Sequence, residues 1–238
     1  MTPPVRIPFE AFDRGSIDRL EEKLEIARLV AAGVKSGDVI GAGSGSTAFL
    51  AVHAIAERVA AGELTGVSLI PTSHEVHLTI AGLVPSTPGL VVGDLSSGFP
   101  DWLFDGADEV DPDGNLIKGR GGALFREKIM FQATEDRRIL IDGSKRVAQL
   151  GERFPIPVEV VPLALPVVLT ALEELGAVET DVRTGTGKDG PVITETGNFL
   201  VDCRFGAITP GLERRIKEIP GVVESGLLQG YGPTLITT

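Results

Sequence analysis

Apolar residues recur along this chain with two different periods, and each period names an element. Leu20, Leu24, Ala27 and Ala31 repeat at helical spacing, with Ser16 placed to cap that helix and Gly33 to stop it. Asp38-Val39-Ile40 reads as a short buried strand that runs into a turn, Gly41 to Thr47, and then a helix from Ala48 to about Ala61. Val67–Pro71 is a further strand, and Ser73 caps the helix after it. Leu90–Val92, Trp102–Asp105 and Ile139–Asp142 follow as strands, with a helix over Leu124–Thr134 before the last. Strands alternating with helices predict an α/β fold, a doubly wound, Rossmann-like parallel sheet.

The pattern changes after Gly151. Strand Val158–Val161, helix Val167–Leu175, strands Val178–Arg183 and Phe199–Cys203, helix Pro210–Ile219 and strand Val222–Leu227 succeed one another, with Val192-Ile193 a candidate third strand. That order is a βαββαβ unit, a smaller ferredoxin-like α+β domain. Thr234–Thr237, just after Pro233, reads as a return to the first sheet. The expected division is residues 1–150 with 227–238 as the Rossmann-like catalytic domain, and 151–226 as the small domain.

Composition narrows the partners. The 238 residues suit one large domain or two unequal ones. Apolar content of 42% with only 5% aromatics predicts a core of Val, Leu, Ile and Ala. The net charge of -11, with no basic block to offset it, argues against nucleic acid, and an anionic substrate would need a local cationic pocket. Cys203 is the only cysteine, so no internal disulfide forms, which suits a reducing cytoplasm; it falls in a strand and should pack in the core. Met1–Asp13 has no apolar signal core, and the longest apolar stretch, Val158–Leu172, is interrupted by Pro162 and Pro166, short of the ~20 residues that span a bilayer. A soluble, cytoplasmic protein without membrane partners is expected.

Reactive residue types concentrate in three neighbouring segments, Asp105-Gly106-Ala107-Asp108-Glu109, Lys118-Gly119-Arg120-Gly121-Gly122 and Arg126-Glu127-Lys128. A carboxylate that takes and returns a proton, cations that hold an oxyanion and bare amides that hold an anion are the parts of proton-transfer chemistry on a phosphorylated substrate. Asp105 and Asp108 lie just past a strand, where ligands bind in open α/β sheets; a plain surface turn is the alternative, as at Asp111-Pro112-Asp113-Gly114-Asn115. That turn imitates a calcium loop, but Arg120 occupies the twelfth position counted from Glu109.

The Gly41–Thr47 turn is either a phosphate cradle at a helix start or a tight strand-to-helix turn without a ligand. Read from Gly41, Ser46 stands where a dinucleotide fingerprint has its third glycine; read from Gly43, Ala48 fits the looser form but no acidic residue ends the next strand; and the lysine of a Walker loop is missing. Glu127 falls in the first turns of a helix, whose dipole favours its ionised form, although Arg126-Glu127-Lys128 alone also fits a solvated face. Lys145 alone fits a surface lysine. His74, Glu75 and His77 are spaced His-Glu-x-His, not as the i, i+4 pair of zinc hydrolases, and no third ligand is evident, so no metal is expected.

The order and spacing of these segments resemble ribose-5-phosphate isomerase type A. The matching segments are Gly43–Thr47, Pro71–Ser73, Asp105–Glu109, Ile117–Leu124, Arg126–Ile129, Ser144-Lys145, Pro157–Val160, Gly197–Asp202 and Pro220–Glu224. The resemblance implies interconversion of ribose 5-phosphate and ribulose 5-phosphate, a step of the non-oxidative pentose phosphate pathway, without a cofactor. It implies that Glu127 is the base, and that Asp105, Asp108 and Lys118 contact the sugar, assist ring opening and steady an enediolate. Ser44, Gly45, Ser46 and Thr47, Gly106 and Ala107, and Gly119, Arg120 and Gly121 would line the site. Lys145 would bind substrate, and Lys23 falls where the family has a phosphate-binding lysine. A homodimer or homotetramer is implied as well.

Departures fall elsewhere: Glu195 and Thr196, and Ser225 and Leu228 on either side of Gly226-Leu227, differ from the usual family residues, and the C-terminus stops soon after Ile236. A related sugar-phosphate deaminase or lactonase, or a non-catalytic sugar-phosphate sensor, are the other readings. A sensor would usually carry a helix-turn-helix, for which Met1–Gly15 is too short, and it would have no need for Glu127.

Overall fold

A computed structural model describes residues 9–238, so the readings placed on the chain start lie outside the described residues as far as Pro8. The chain forms two compact units. One takes in residues 9–106 with Ile129–Ser144 and Pro233–Thr238; the other is Ala107–Lys128 with Lys145–Gly232.

The first unit is built on β1 (Val39–Ala42), β2 (Val67–Pro71), β3 (Leu90–Val92), β4 (Trp102–Gly106), β7 (Arg137–Leu140) and β13 (Thr234–Ile236). They form one six-stranded sheet in the order β13-β7-β4-β1-β2-β3, every pair parallel. These strands are short and apolar because both faces are covered. Helices α1 (Leu20–Ala32), α2 (Ser46–Ala60) and α3 (His74–Leu83) supply much of the cover, and Ile26, Leu50, Ile55, Leu69, Ile80 and Phe104 fill the core with them. The chain runs from β1 outward through β2 to β3, then returns to β4 on the other side of β1. The carboxyl ends of β1 and β4 are therefore the topological switch point, where open α/β sheets bind ligands.

Several boundaries differ from the sequence reading, two of them for reasons visible in the structure. Helix α1 is capped not by Ser16 but by Arg19, which sits in the left-handed region at φ 52°; Ser16 ends a separate 3₁₀ turn, Arg14–Ser16. Strand β7 spans Arg137–Leu140 rather than Ile139–Asp142, because its first residues, though charged, have a use: the Arg138 guanidinium lies 3.9 Å from the centre of the Trp102 ring.

The second unit contains β8 (Ile156–Val160), α5 (Leu165–Glu174), β9 (Ala177–Val182), β10 (Phe199–Phe205), α6 (Leu212–Lys217) and β11 (Val222–Ser225). The strands pair antiparallel in the order β11-β8-β10-β9, the βαββαβ unit expected. Val158, Val168, Leu172, Val201, Cys203 and Ile216 form its core. Burial, and secondarily the Asp202 charge, push the Cys203 thiol up to about 12, so it packs as an unreactive apolar group.

Val192-Ile193 makes only an isolated bridge, Ile193 to Phe199, and no strand. The last predicted strand is cut at Gly226 into β11 and β12 (Leu227–Leu228). A Cβ at Gly226 would stand 2.0 Å from the Lys118 carbonyl oxygen, so only glycine fits. Strand β12 joins a hairpin missed in sequence, β5 (Glu109–Val110) and β6 (Leu116–Ile117), in a separate three-stranded sheet. Two-residue strands show no period, and the Asp111 carboxylate closes their turn by accepting from the amides of Asp113 and Asn115.

Candidate active site

In the first unit the switch point gathers hydroxyls, a lysine and a carboxylate. Gly43 passes so close to Asp105 that a Cβ there would lie 2.3 Å from the carboxylate. Asp105 is buried at the end of β4, and its Oδ1 accepts from the amides of Ser44 at 3.2 Å and Gly106 at 2.7 Å. The Ser44 hydroxyl lies 3.1 Å from Thr72 Oγ1 and donates to Ser73 Oγ at 3.0 Å; Thr72 in turn donates to the Ala42 carbonyl. Ser73 also caps α3, accepting from the Val76 amide. Thr72 and Ser73 thus line the cluster, although neither is among the residues expected to bind substrate.

Helix α2 begins at Ser46, two residues earlier than read, with Gly45 at φ 93° before it. Among the described residues no acceptor takes a hydrogen bond from the amides of Gly45, Ser46 and Thr47. Lys23, buried on α1, donates from Nζ to Ser46 Oγ at 3.1 Å. Open amides at a helix start, hydroxyls and an ammonium can hold a phosphate.

In the second unit the Lys118 ammonium and the Glu127 carboxylate form an ion pair at 3.4 Å with both side chains nearly removed from water. Lys118 follows β6, and its amide donates to the Gly226 carbonyl at 2.8 Å. Glu127 lies in the first turn of α4 (Leu124–Ala133), its amide bonded to Ala123. Between them the loop turns through Gly119 at φ 94° and Gly122 at φ 85°. Asp108 accepts the Arg120 amide at 3.0 Å on Oδ2, while the Arg120 side chain reaches solvent. Ala107 is buried beside Asp108, and Gly121 is open: a Cβ there would meet nothing within 4 Å.

Lys145 is half-buried, its ammonium 5.8 Å from the Phe154 ring centre. His74 and His77 are exposed on α3. Arg126-Glu127-Lys128 is no solvated face: Arg126 pairs with Glu195, and Lys128 is buried among Glu213, Glu224 and the carbonyls of Ser225 and Leu227.

The carboxylates of the Asp105–Glu109 block have separate tasks. Glu109 is fully buried and accepts from the amides of Arg153 (2.6 Å) and Phe154 (2.7 Å) on one oxygen and of Gly151 (2.6 Å) on the other. It is a clasp for the 151–154 turn. Glu109→Gln sets an NH₂ group against those amides and should cost about 1–3 kcal/mol of stability. The denaturant midpoint should fall while turnover per folded molecule changes little; an unchanged midpoint would remove the clasp.

The model of the family described as ribose 5-phosphate isomerase A (phosphoriboisomerase A) matches residues 68–237. The ribose-5-phosphate isomerase A of Thermosynechococcus vestitus is 42% identical over 216 residues, 90% of this chain and 89% of that one. That of Methanothermobacter thermautotrophicus is 42% identical over 205 residues, 85% and 87% of the two chains. Of solved structures, ribose 5-phosphate isomerase A from Methanocaldococcus jannaschii matches with TM-score 0.83 at 40% identity, covering 93% of this chain and 96% of that chain. A D-ribose-5-phosphate isomerase in complex with phospho-erythronic acid matches with TM-score 0.83 at 33% identity and the same coverage.

Proposed function

Since the chain belongs to the ribose 5-phosphate isomerase A family, we propose that it interconverts D-ribose 5-phosphate and D-ribulose 5-phosphate by moving one proton between C2 and C1. The observation that carries the mechanism is the buried Lys118–Glu127 pair. The Glu127 carboxylate takes the C2 proton of the open-chain aldose, and the electron pair of that bond moves into C1–C2 as the C1 carbonyl becomes an enediolate oxygen. Lys118 meets the charge on that oxygen, as a fixed cation in a dry setting can. Glu127 returns the proton to C1, and the C2 carbonyl forms as the proton of the C2 hydroxyl passes to the C1 oxygen, which becomes the hydroxyl of the ketose. Asp105 and Asp108 are assigned to the sugar hydroxyls and to ring opening, where the C1 hydroxyl loses a proton and the ring oxygen gains one.

Lys23 with Ser44, Gly45, Ser46 and Thr47 is assigned to the phosphate, supported by the open amides and by the Lys23–Ser46 bond. Gly106, Ala107, Gly119, Arg120, Gly121 and Lys145 are assigned to the rest of the sugar phosphate.

A substrate panel tests this reading. Ribose 5-phosphate should be converted, and free ribose at least ~10³-fold less efficiently, because binding energy at the phosphate drives the reacting end into place. Equal efficiency on ribose would remove the phosphate assignment. Turnover of an amino-sugar phosphate or a sugar-phosphate lactone, with none of ribose 5-phosphate, would overturn the isomerase. No helix among the described residues is long and apolar enough to cross a membrane. Cytoplasmic residence and a homodimer or homotetramer belong to the same proposal. The second is supported by apolar side chains exposed on the second unit, Leu163, Val167 and Val178.

A further inference from the structure

The glycine loop that follows Lys118 has little to hold it, since glycines leave the backbone free. Two of its ties are local: Gly122 donates to the Gly119 carbonyl, and the Arg120 amide donates to Asp108. The third comes from the four-stranded sheet of the same unit. Arg183, at the end of β9, donates from Nη1 to the carbonyl oxygens of Arg120 at 2.7 Å and Gly119 at 3.3 Å. Its Nε and Nη2 form a two-point pair with the Asp202 carboxylate on β10. The backbone at Arg183 is itself fixed, its amide bonded to Leu200 and its carbonyl to the Val192 amide.

A trans peptide is planar, so its C=O and the following N–H point in opposite directions. Drawing the Gly119 carbonyl toward Arg183 therefore turns the Arg120 N–H the other way, and there it meets Asp108 at 3.0 Å. Drawing the Arg120 carbonyl toward Arg183 turns the Gly121 N–H the other way. Among the described residues no acceptor takes that N–H, and the space at Gly121 is open. One guanidinium thus sets the direction of two consecutive amides, one bonded to an assigned carboxylate and the other unclaimed.

We propose that Arg183, held by Asp202, is a positioning residue of the isomerase reaction: it aims the Gly121 N–H at the enediolate oxygen and fixes Asp108 through the Arg120 N–H. This rests on the reading of the function given above. Arg183 touches no reacting atom. A lysine cannot replace it, because one ammonium cannot bond two carbonyls and both oxygens of Asp202 in a plane.

Arg183→Ala and Arg183→Lys should each lower kcat about 10- to 100-fold with KM changed less than about threefold, since a donor that acts on developing charge is misplaced. Ethylguanidinium at tens of millimolar should restore the Ala variant about fivefold or more, methylammonium should not, and neither should raise the wild-type rate. Asp202→Asn should resemble the Ala variant. A readout independent of turnover is amide exchange by NMR: the Arg120 amide should exchange about tenfold faster in Arg183→Ala. Wild-type turnover within about twofold in the Ala variant, or unchanged Arg120 exchange, would overturn the proposal. So would a fall in kcat that guanidinium does not rescue. A wild-type chain inactive on ribose 5-phosphate would instead sink the isomerase reading, and that is known before any variant is made.

Discussion

Glu127→Gln should lower kcat on ribose 5-phosphate by about 10² or more and leave KM within a few-fold. The substitution keeps shape and hydrogen bonding and removes only basicity. The proton must leave carbon, which ionises poorly, so a positioned base contributes to the transition state and not to the bound ground state. The amide is also a poorer partner for Lys118, whose ammonium at 3.4 Å then lacks the Glu127 charge. A second measurement separates the base from a merely electrostatic role. In heavy water the wild-type reaction should place deuterium on C1 of ribulose 5-phosphate, because a proton held on a carboxylate exchanges with solvent before it returns. Near-normal turnover in the Gln variant would move the base to Asp105 or Asp108. Product free of deuterium would point to a direct hydride shift and remove the enediolate route.

The site's members were legible in sequence because chemistry demands residue types in an order. A carboxylate at the end of β4 and another just past it, a glycine loop with a lysine, and a glutamate at the next helix start can be read from the sequence. Their supports could not be read. Arg183 and Asp202 lie 19 residues apart on neighbouring strands, and nothing local ties Arg183 to Gly119, 64 residues away. Lys128 looked solvated because the charge pattern of a helix does not reveal which neighbouring chain covers it.

The same limit governed the fold. Long periodic helices and apolar strands were found within a few residues, as α1, α2 and β1 show. Where a backbone contact decided, the pattern was silent: Gly226 reads as part of a strand until the Lys118 carbonyl is seen beside it. The cap of α1 depends on a left-handed Arg19, for which arginine carries no signal.

Lys128→Met should destabilise the protein by about 3–5 kcal/mol at neutral pH, because removing one partner of a buried ionic cluster strands the others. The Lys128 ammonium stands 2.7 Å from Glu213 and 3.0 Å from Glu224, and donates to the carbonyls of Ser225 and Leu227. Methionine fills the space and supplies none of these bonds; Lys217, half exposed at 3.3 Å from Glu224, cannot replace them. For a chain of this size the melting temperature should drop by about 10 °C.

The pH dependence gives the sharper test. Burial pushes the Glu224 carboxyl upward, but the Lys128 charge, the Ser225 amide and Lys217 outweigh it, and its pKa lies below the ordinary value. A lowered folded pKa means that the stabilisation is full above the unfolded value and is lost as pH falls through the folded one. Without Lys128, burial is opposed only by the Ser225 amide and Lys217, and the shift should reverse, so that proton uptake on acidification stabilises the variant. The gap in melting temperature between wild type and variant should therefore narrow as pH is lowered from about 8 to about 5. A gap that stays constant or widens would mean that the Lys128 charge does not offset the burial of Glu224.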